Sequence, residues 1–143
     1  MPLRSLNQLQ SLRVLLMKVK IAWLRQVCGV DIDWNTQPSL SSRFRSARRG
    51  SIIIGPETLI SFKTLIFTRD PVTGEDRPVR IGARCFVGGG CTVTPGVTIG
   101  DGSIVGGGAV VFHDVPPASI AVGNPAQILR SGIQTLSFGR LGP

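Results

Sequence analysis

"IGARCF VGGGCT VTPGVT IGDGSI VGGGAV VFHDVP", residues 81–116, repeats one six-residue pattern six times. An aliphatic residue opens every unit: Ile81, Val87, Val93, Ile99, Val105 and Val111. The fifth place holds Cys85, Cys91, Val97, Ser103, Ala109 and Val115, all small or β-branched. Gly takes the second place in four of the six units. A six-residue period of this kind is the mark of a parallel β-helix. Each unit supplies one short strand and one turn, and three units close a triangular coil of 18 residues. The aliphatic residue points inward and stacks on its equivalent one coil away. The small residue fits the narrow interior corner, and Gly supplies turns that a side chain would obstruct. Coils then stack at the strand-pairing distance of about 4.8 Å.

The same frame extends upstream. "IGPETL ISFKTL IFTRDP", residues 54–71, reads as one coil with Ile54, Ile60 and Ile66 inside. "IDWNTQ PSLSSR FRSARR", residues 32–49, reads as a degraded first coil with Pro38 and Phe44 inward, and residues 50–53 patch the joint. Residues 72–80 are an insertion between the second and third coils. The expected architecture is an all-β solenoid of about four coils over 30–116, preceded by a helix in 1–29 and followed by a tail over 117–143. A stack this short leaves a large flank uncovered, which favours oligomerisation.

Ahead of the repeats, Leu9, Leu12, Leu16, Val19, Trp23 and Val27 recur at helical spacing within residues 5–28. Ser5 suits an N-cap and Gly29 a stop. Lys18 and Lys20 interrupt the apolar run, so it does not read as a transmembrane span. Such a helix either packs on the open end of the solenoid, the favoured reading, or lies on a membrane surface as a basic amphipathic segment.

Lys plus Arg number 16 against 8 Asp plus Glu, a formal charge of +8. Thirteen of the sixteen are Arg, which suits bidentate recognition of phosphate or carboxylate. The compact cluster Arg43, Arg45, Arg48 and Arg49 reads first as a solvated turn, and second as a site for an anionic polysaccharide or membrane phosphate. Nucleic acid is not the expected partner, because no RNA motif, zinc finger or recognition helix accompanies the charge. Three cysteines, Cys28, Cys85 and Cys91, and no secretory leader point to a reducing, cytoplasmic setting. With one histidine and no Cys-x-x-Cys pair, no metal site is expected.

The repeats together with "HDVPPASIAVGNPAQILR", residues 113–130, resemble the left-handed β-helix acetyltransferases that modify sugars and polysaccharides. This hexapeptide-repeat superfamily includes the maltose, galactoside and serine acetyltransferases, and the flavour here is that of the capsule and exopolysaccharide O-acetyltransferases. The resemblance spans roughly residues 30–130 and is most specific from Pro78 to Arg130. It implies a left-handed helix, a homotrimer with active sites between neighbouring subunits, acetyl-CoA as co-substrate, and a sugar or polysaccharide acceptor.

Residue by residue, it implies that amides near Gly88 and Gly89 in "FVGGG" (86–90) approach the thioester, with Phe86 replacing the usual Trp. Gly106 and Gly107 in "VGGGAVV" (105–111) match a stretch lining the pantetheine arm. Phe112 and His113 replace a Thr-Lys pair that reaches the cofactor's phosphates, and Arg130 matches a basic residue near the nucleotide. Gly permits close backbone approach, and its amide can donate to an oxygen that gains charge.

One position departs from the family. Its second coil ends in Thr-His-Asp, where His takes the acceptor's proton; here the words are Thr68-Arg69-Asp70. A guanidinium has no lone pair to offer and cannot be a general base. That base is worth about 10²–10⁴ in rate. Asp70, an ordinarily weak base, reads as a partner fixing Arg69 or as a turn residue. Arg69 could instead bind an acidic group on the acceptor. His113 lies two coils away, about 10 Å along the axis, beyond reach of a hydroxyl at residue 69. The sequence therefore supports an O-acetyltransferase with an unusual site. The alternative is an impaired pseudoenzyme or scaffold that binds CoA or an acidic glycan, which could also partner an active homologue.

Overall fold

The computed structural model describes residues 2–143, with side chains from Gln8 onward. It opens with helix α1 (Pro2–Gln26) and continues into four coils of short parallel strands. The first coil contains β1 (Asp31–Ile32), β2 (Gln37–Pro38) and β3 (Arg43–Arg45). The second contains β4 (Ile52–Ile54), β5 (Leu59–Ile60) and β6 (Leu65–Phe67). The third contains β7 (Val79–Ile81), β8 (Phe86–Val87) and β9 (Thr92–Val93). The fourth contains β10 (Thr98–Ile99), β11 (Ile104–Val105) and β12 (Val110–Val111). A hairpin of β13 (Ser119–Val122) and β14 (Gln127–Ser131) follows.

The strands sort into three faces. The first is β1-β4-β7-β10, the second β2-β5-β8-β11-β13-β14, and the third β3-β6-β9-β12. Every pairing between coils is parallel, and only β13–β14 is antiparallel. This is the three-sided solenoid expected from the repeat, a left-handed parallel β-helix. The inward positions are sealed: Ile60, Ile66, Val87, Val93 and Val105 are each 0% exposed, and Ile81, Ile99 and Val111 at most 2%.

The fifth place has a role its size alone does not reveal. Its polar side chains donate to carbonyls one coil further on. Thr36 Oγ1 reaches Gly55 O (2.8 Å), Thr58 Oγ1 reaches Gly82 O (2.7 Å), and Thr64 Oγ1 reaches Gly88 O (3.2 Å). Cys85 Sγ reaches Gly100 O (3.1 Å) and Cys91 Sγ reaches Gly106 O (2.9 Å). Both thiols are therefore interior donors, and burial raises their pKa.

The two glycine-rich places also differ from expectation. Second-place glycines are there for clearance: a Cβ on Gly88 would sit 2.6 Å from the amide nitrogen of Gly107. The turn itself is made at the fourth place, where the backbone is left-handed, as at Gly96 (φ 83°). Three units put side chains in that conformation: Glu57 (φ 56°), Lys63 (φ 54°) and Arg84 (φ 54°).

The helix caps the solenoid, as favoured, but through a different face. Ile21 and Leu24 are buried on the first coil. The predicted face of Leu9, Leu12, Leu16, Val19, Trp23 and Val27 is exposed. The helix also begins at Pro2, so Ser5 lies inside it rather than at its cap; the Ser5 side chain falls outside the described residues. Carbonyls at the open end of the first coil have no coil beneath them, and the helix supplies their donors. Lys18 Nζ donates to Trp34 O (2.7 Å), and Arg25 donates to Ile32 O (2.6 Å). Lys20 Nζ donates to the carbonyls of Ser39, Leu40 and Ser42. Burial pushes the Lys20 pKa down to about 8. Gly29 (φ 68°) ends the helix region, packed so closely that a Cβ would lie 2.9 Å from Arg49 Cα.

At the other end the hairpin covers the last coil, and Gly106 N donates to Ala121 O (2.8 Å). Residues 132–143 then run back along the second face, where Phe138 N donates to Glu57 O (2.7 Å). The insertion leaves the solenoid after Phe67 and rejoins it at Val79, so Val79 and Arg80 belong to the sheet rather than to the loop. Among the described residues, no helix is long and apolar enough to cross a membrane.

A side chain in left-handed backbone is strained by about 1 kcal/mol or more, less the entropy gained by a flexible Gly when unfolded. Arg84 is exposed, and its side chain makes no contact that the turn needs. Arg84→Gly is therefore expected to raise stability by about 0.5–1 kcal/mol, read as a higher urea midpoint at unchanged slope.

Candidate functional site

Two corners of the solenoid matter. The corner between the second and third faces carries Gly88–Gly90, with Gly106–Gly108 stacked one coil further on. The corner between the third and first faces carries Arg69, Asp70 and the insertion in the second coil, and His113 in the fourth.

At the glycine corner the ladder separates the amides. Gly88 N donates to Val105 O (2.8 Å) and Gly106 N to Ala121 O (2.8 Å). Those two amides are committed to stacking and have nothing left for a thioester or pantetheine, because second-place N–H groups form the inter-coil ladder. The third-place amides, Gly89 and Gly107, donate to nothing among the described residues. At a neighbouring corner the same place is capped: Ala83 N donates to Asp101 Oδ1 (2.8 Å) from one coil on. The residue one coil beyond Gly89 is Gly107, which has no side chain to cap with. Both free amides stand on the same edge of the solenoid.

Phe62 adds to this corner and had no signal in the repeat pattern. Its ring lies where a Cβ on Gly89 would fall, 2.5 Å from Phe62 Cζ, and it is exposed. Phe86 starts β8 on the second face, and Gly139 of the tail packs against it, with a Cβ there falling 2.6 Å from Phe86 N. Arg130 is exposed on β14, beyond the second face, and His113 is exposed at the far corner. Within one chain neither is brought up to Gly89 and Gly107.

At the other corner, Arg69 is exposed and its guanidinium has no ion pair or side-chain hydrogen bond among the described residues. Its main chain forms an antiparallel bridge with Asp76. Asp70 does not fix Arg69. Its Oδ1 accepts from the amides of Val72 (2.8 Å) and Thr73 (3.2 Å), and its Oδ2 faces Arg77 at 4.0 Å. Those two backbone donors lower its pKa, with Arg77 adding to the effect. Asp70 is thus a turn residue holding the start of the loop, too weakly basic to replace a histidine. Asp76 Oδ2 accepts from Ser51 Oγ (3.1 Å) and lies 3.7 Å from Arg48. The third face separates Arg69 from the free amides, and Leu65, Phe67 and Val110 stand half-buried on its outer side. Register along β6, β9 and β12 puts His113 two coils from Arg69, in line with the spacing read from the sequence. Among the described residues, no three His, Cys, Asp or Glu side chains gather where a metal ion could be held.

Against this geometry the comparisons are consistent. A family model described as the hexapeptide repeat of succinyl-transferase matches residues 78–113. AntD, an N-acyltransferase from Bacillus cereus solved with dTDP-4-amino-4,6-dideoxyglucose and coenzyme A, is 18% identical with a TM-score of 0.68. The match covers 73% of this chain and 64% of that one. A hexapeptide-repeat acetyltransferase from Vibrio cholerae is 22% identical at TM-score 0.61, covering 92% of this chain and 93% of that one. A galactoside acetyltransferase in complex with coenzyme A is 26% identical at TM-score 0.57, covering 71% and 58%. The chain thus spans a little under two thirds of the length of two of these relatives. No curated protein matches by sequence. The chain has the left-handed β-helix fold of these acyltransferases and carries the hexapeptide repeat over residues 78–113.

Because the folded pKa of Asp70 is lowered, its anchoring of the loop is complete above the ordinary value of 3.8 and fades as pH falls through the folded value. The Val72 and Thr73 amide resonances are expected to titrate together with a midpoint below 3.8. A midpoint at or above it would show that the carboxylate is not held by these donors.

Proposed function

We propose that this chain is an acetyl-CoA-dependent O-acetyltransferase acting on a sugar or cell-surface polysaccharide, with Arg69 where the family's base stands. The observation that carries the reading is the pair of unpaired amides, Gly89 and Gly107, on one edge of the repeat that the family model matches. Gly89 N–H would face the thioester oxygen, which gains negative charge as the acceptor attacks, and Gly107 N–H would hold an amide of the pantetheine arm. His113 and Arg130 would meet the cofactor's phosphates and nucleotide end. Arg69 and the free amides lie at opposite edges of the third face, which suits a site completed across a homotrimer interface. A short stack with an exposed apolar helix face supports assembly too, and the basic helix leaves peripheral contact with the inner membrane open to a cytoplasmic enzyme. Arg69 cannot take a proton, so rate enhancement would come from positioning and from the amide donors.

The second reading is a pseudoenzyme or scaffold that binds CoA or an acidic glycan, alone or with an active homologue. It is favoured by one observation: Asp70 is held by backbone donors and His113 lies two coils away, so neither is placed to replace the missing base. Turnover with sugar acceptors separates the two. On the first reading the native chain acetylates slowly and Arg69→His raises kcat by about 10²-fold or more. An inert native chain that binds acetyl-CoA selects the second.

The amide assignment has its own test. Gly107 opens a turn whose next residue, Gly108, is left-handed (φ 72°). The chain builds the same turn with Pro95 before Gly96, so Pro is compatible with that place. Gly107→Pro deletes one N–H that bonds nothing among the described residues. Calorimetry is expected to show about tenfold weaker acetyl-CoA binding with the melting temperature retained; unchanged affinity would remove Gly107 from the site.

A further inference from the structure

We propose that the groove between Arg45 and Arg69 binds the acidic group of the acceptor, so that the acceptor class is an oxyanion-bearing sugar, either a uronate-type carboxylate or a sugar phosphate. This rests on the acetyltransferase reading for its biological sense, but the binding site stands on its own geometry. The groove, of about 580 Å³, lies on the third face where the insertion leaves the solenoid. Arg45 and Arg69 border it, and Leu65, Phe67 and Pro71 give it an apolar floor. Register explains the juxtaposition: Arg45 pairs with Phe67 across β3 and β6, and Arg69 follows two residues later.

Charge decides what the groove accepts. Both guanidinium groups are exposed, and among the described residues neither has an ion pair or side-chain hydrogen bond. The nearby carboxylates make their ion pairs away from the rim, although Asp76 Oδ1 is buried without a hydrogen-bond partner among the described residues. Asp70 holds the amides of Val72 and Thr73 and faces Arg77. Glu75 pairs with Arg77 at 3.0 Å, and Asp76 faces Arg48 and Ser51. Asp70 and Glu75 share Arg77 and Asp76 faces Arg48, so none of these ion pairs uses the two cations at the rim. An arginine offers planar, bidentate donors to a carboxylate or phosphate. The exposed edge of Phe67 and the floor around it suit the apolar face of a pyranose ring. Two cations on one rim with an apolar floor describe an anionic sugar better than a neutral one.

The test is NMR titration of the full chain with sodium glucuronate, glucose 1-phosphate and glucose, for the native protein, Arg45→Gln, Arg69→Gln and Arg45→Lys. Acetyl-CoA is titrated in parallel. Glucuronate or glucose 1-phosphate is expected to shift the amides around residues 45–47 and 65–74. Each Gln variant should weaken that binding at least tenfold, Arg45→Lys less so, and added salt should weaken it in the native chain. The tighter of the two anions identifies the source of the oxyanion. Glucose binding as tightly as either anion, no binding by either anion, or affinities untouched by both Gln variants would overturn the proposal. The amide spectra report whether each variant is folded, and Arg45→Lys keeps the test valid if Arg45→Gln is not. Acetyl-CoA binding with no anion binding defeats only this inference. Anion binding without acetyl-CoA binding defeats the transferase reading and leaves the groove intact.

Discussion

Everything in this molecule follows from stacking one coil on the next at hydrogen-bonding distance. At that spacing the backbone of one corner nearly touches the backbone of its neighbour. The second place of each unit must then clear space, as Gly88 does beneath Gly107. Its amide is drawn into the inter-coil ladder, and its carbonyl accepts the buried donor from the fifth place. Thr58, Thr64, Cys85 and Cys91 belong to this ladder as much as to the apolar core. A hydrogen bond of this kind contributes about 1 kcal/mol net, and an unpaired buried carbonyl costs more.

The same stacking decides where chemistry can sit. With the second-place amide committed and the fourth place turned left-handed, the third-place amide is the one that points outward. Some third places neutralise it: Asp101 caps Ala83, Thr68 N donates to Arg45 O, and Pro56 and Pro95 have no N–H at all. Gly89 and Gly107 do none of these. Their exposure is a property of two adjacent coils, because the cap for Gly89 would have to come from position 107. A pair of outward backbone donors is therefore left at two places that meet only in the stack.

The ends of the solenoid answer the same constraint in opposite ways. The first coil presents carbonyls with nothing beneath them, and Lys18, Lys20 and Arg25 of α1 supply donors. The last coil presents amides, and the β13–β14 hairpin supplies acceptors. Capping the first coil uses the helix face of Ile21 and Leu24, which leaves Leu9, Leu12, Leu16, Val19, Trp23 and Val27 outward. A helix apolar on two faces gives periodicity no means of choosing between them, so the docked face could not be read from spacing.

The sequence alone determined the three-sided solenoid, its four coils, and the inward aliphatic and fifth-place residues, because a strict six-residue period leaves one way to bury them. It also determined that residue 69 is an arginine where the resemblance implies a histidine, a matter of residue identity alone. Only the tertiary structure decided which amides remain free, since that depends on what lies one coil away rather than on neighbours in the chain. It alone showed Asp70 spent on Val72, Thr73 and Arg77, Phe86 covered by the returning tail, and Phe62 standing over Gly89. Those contacts join residues far apart in sequence, and no local pattern encodes them.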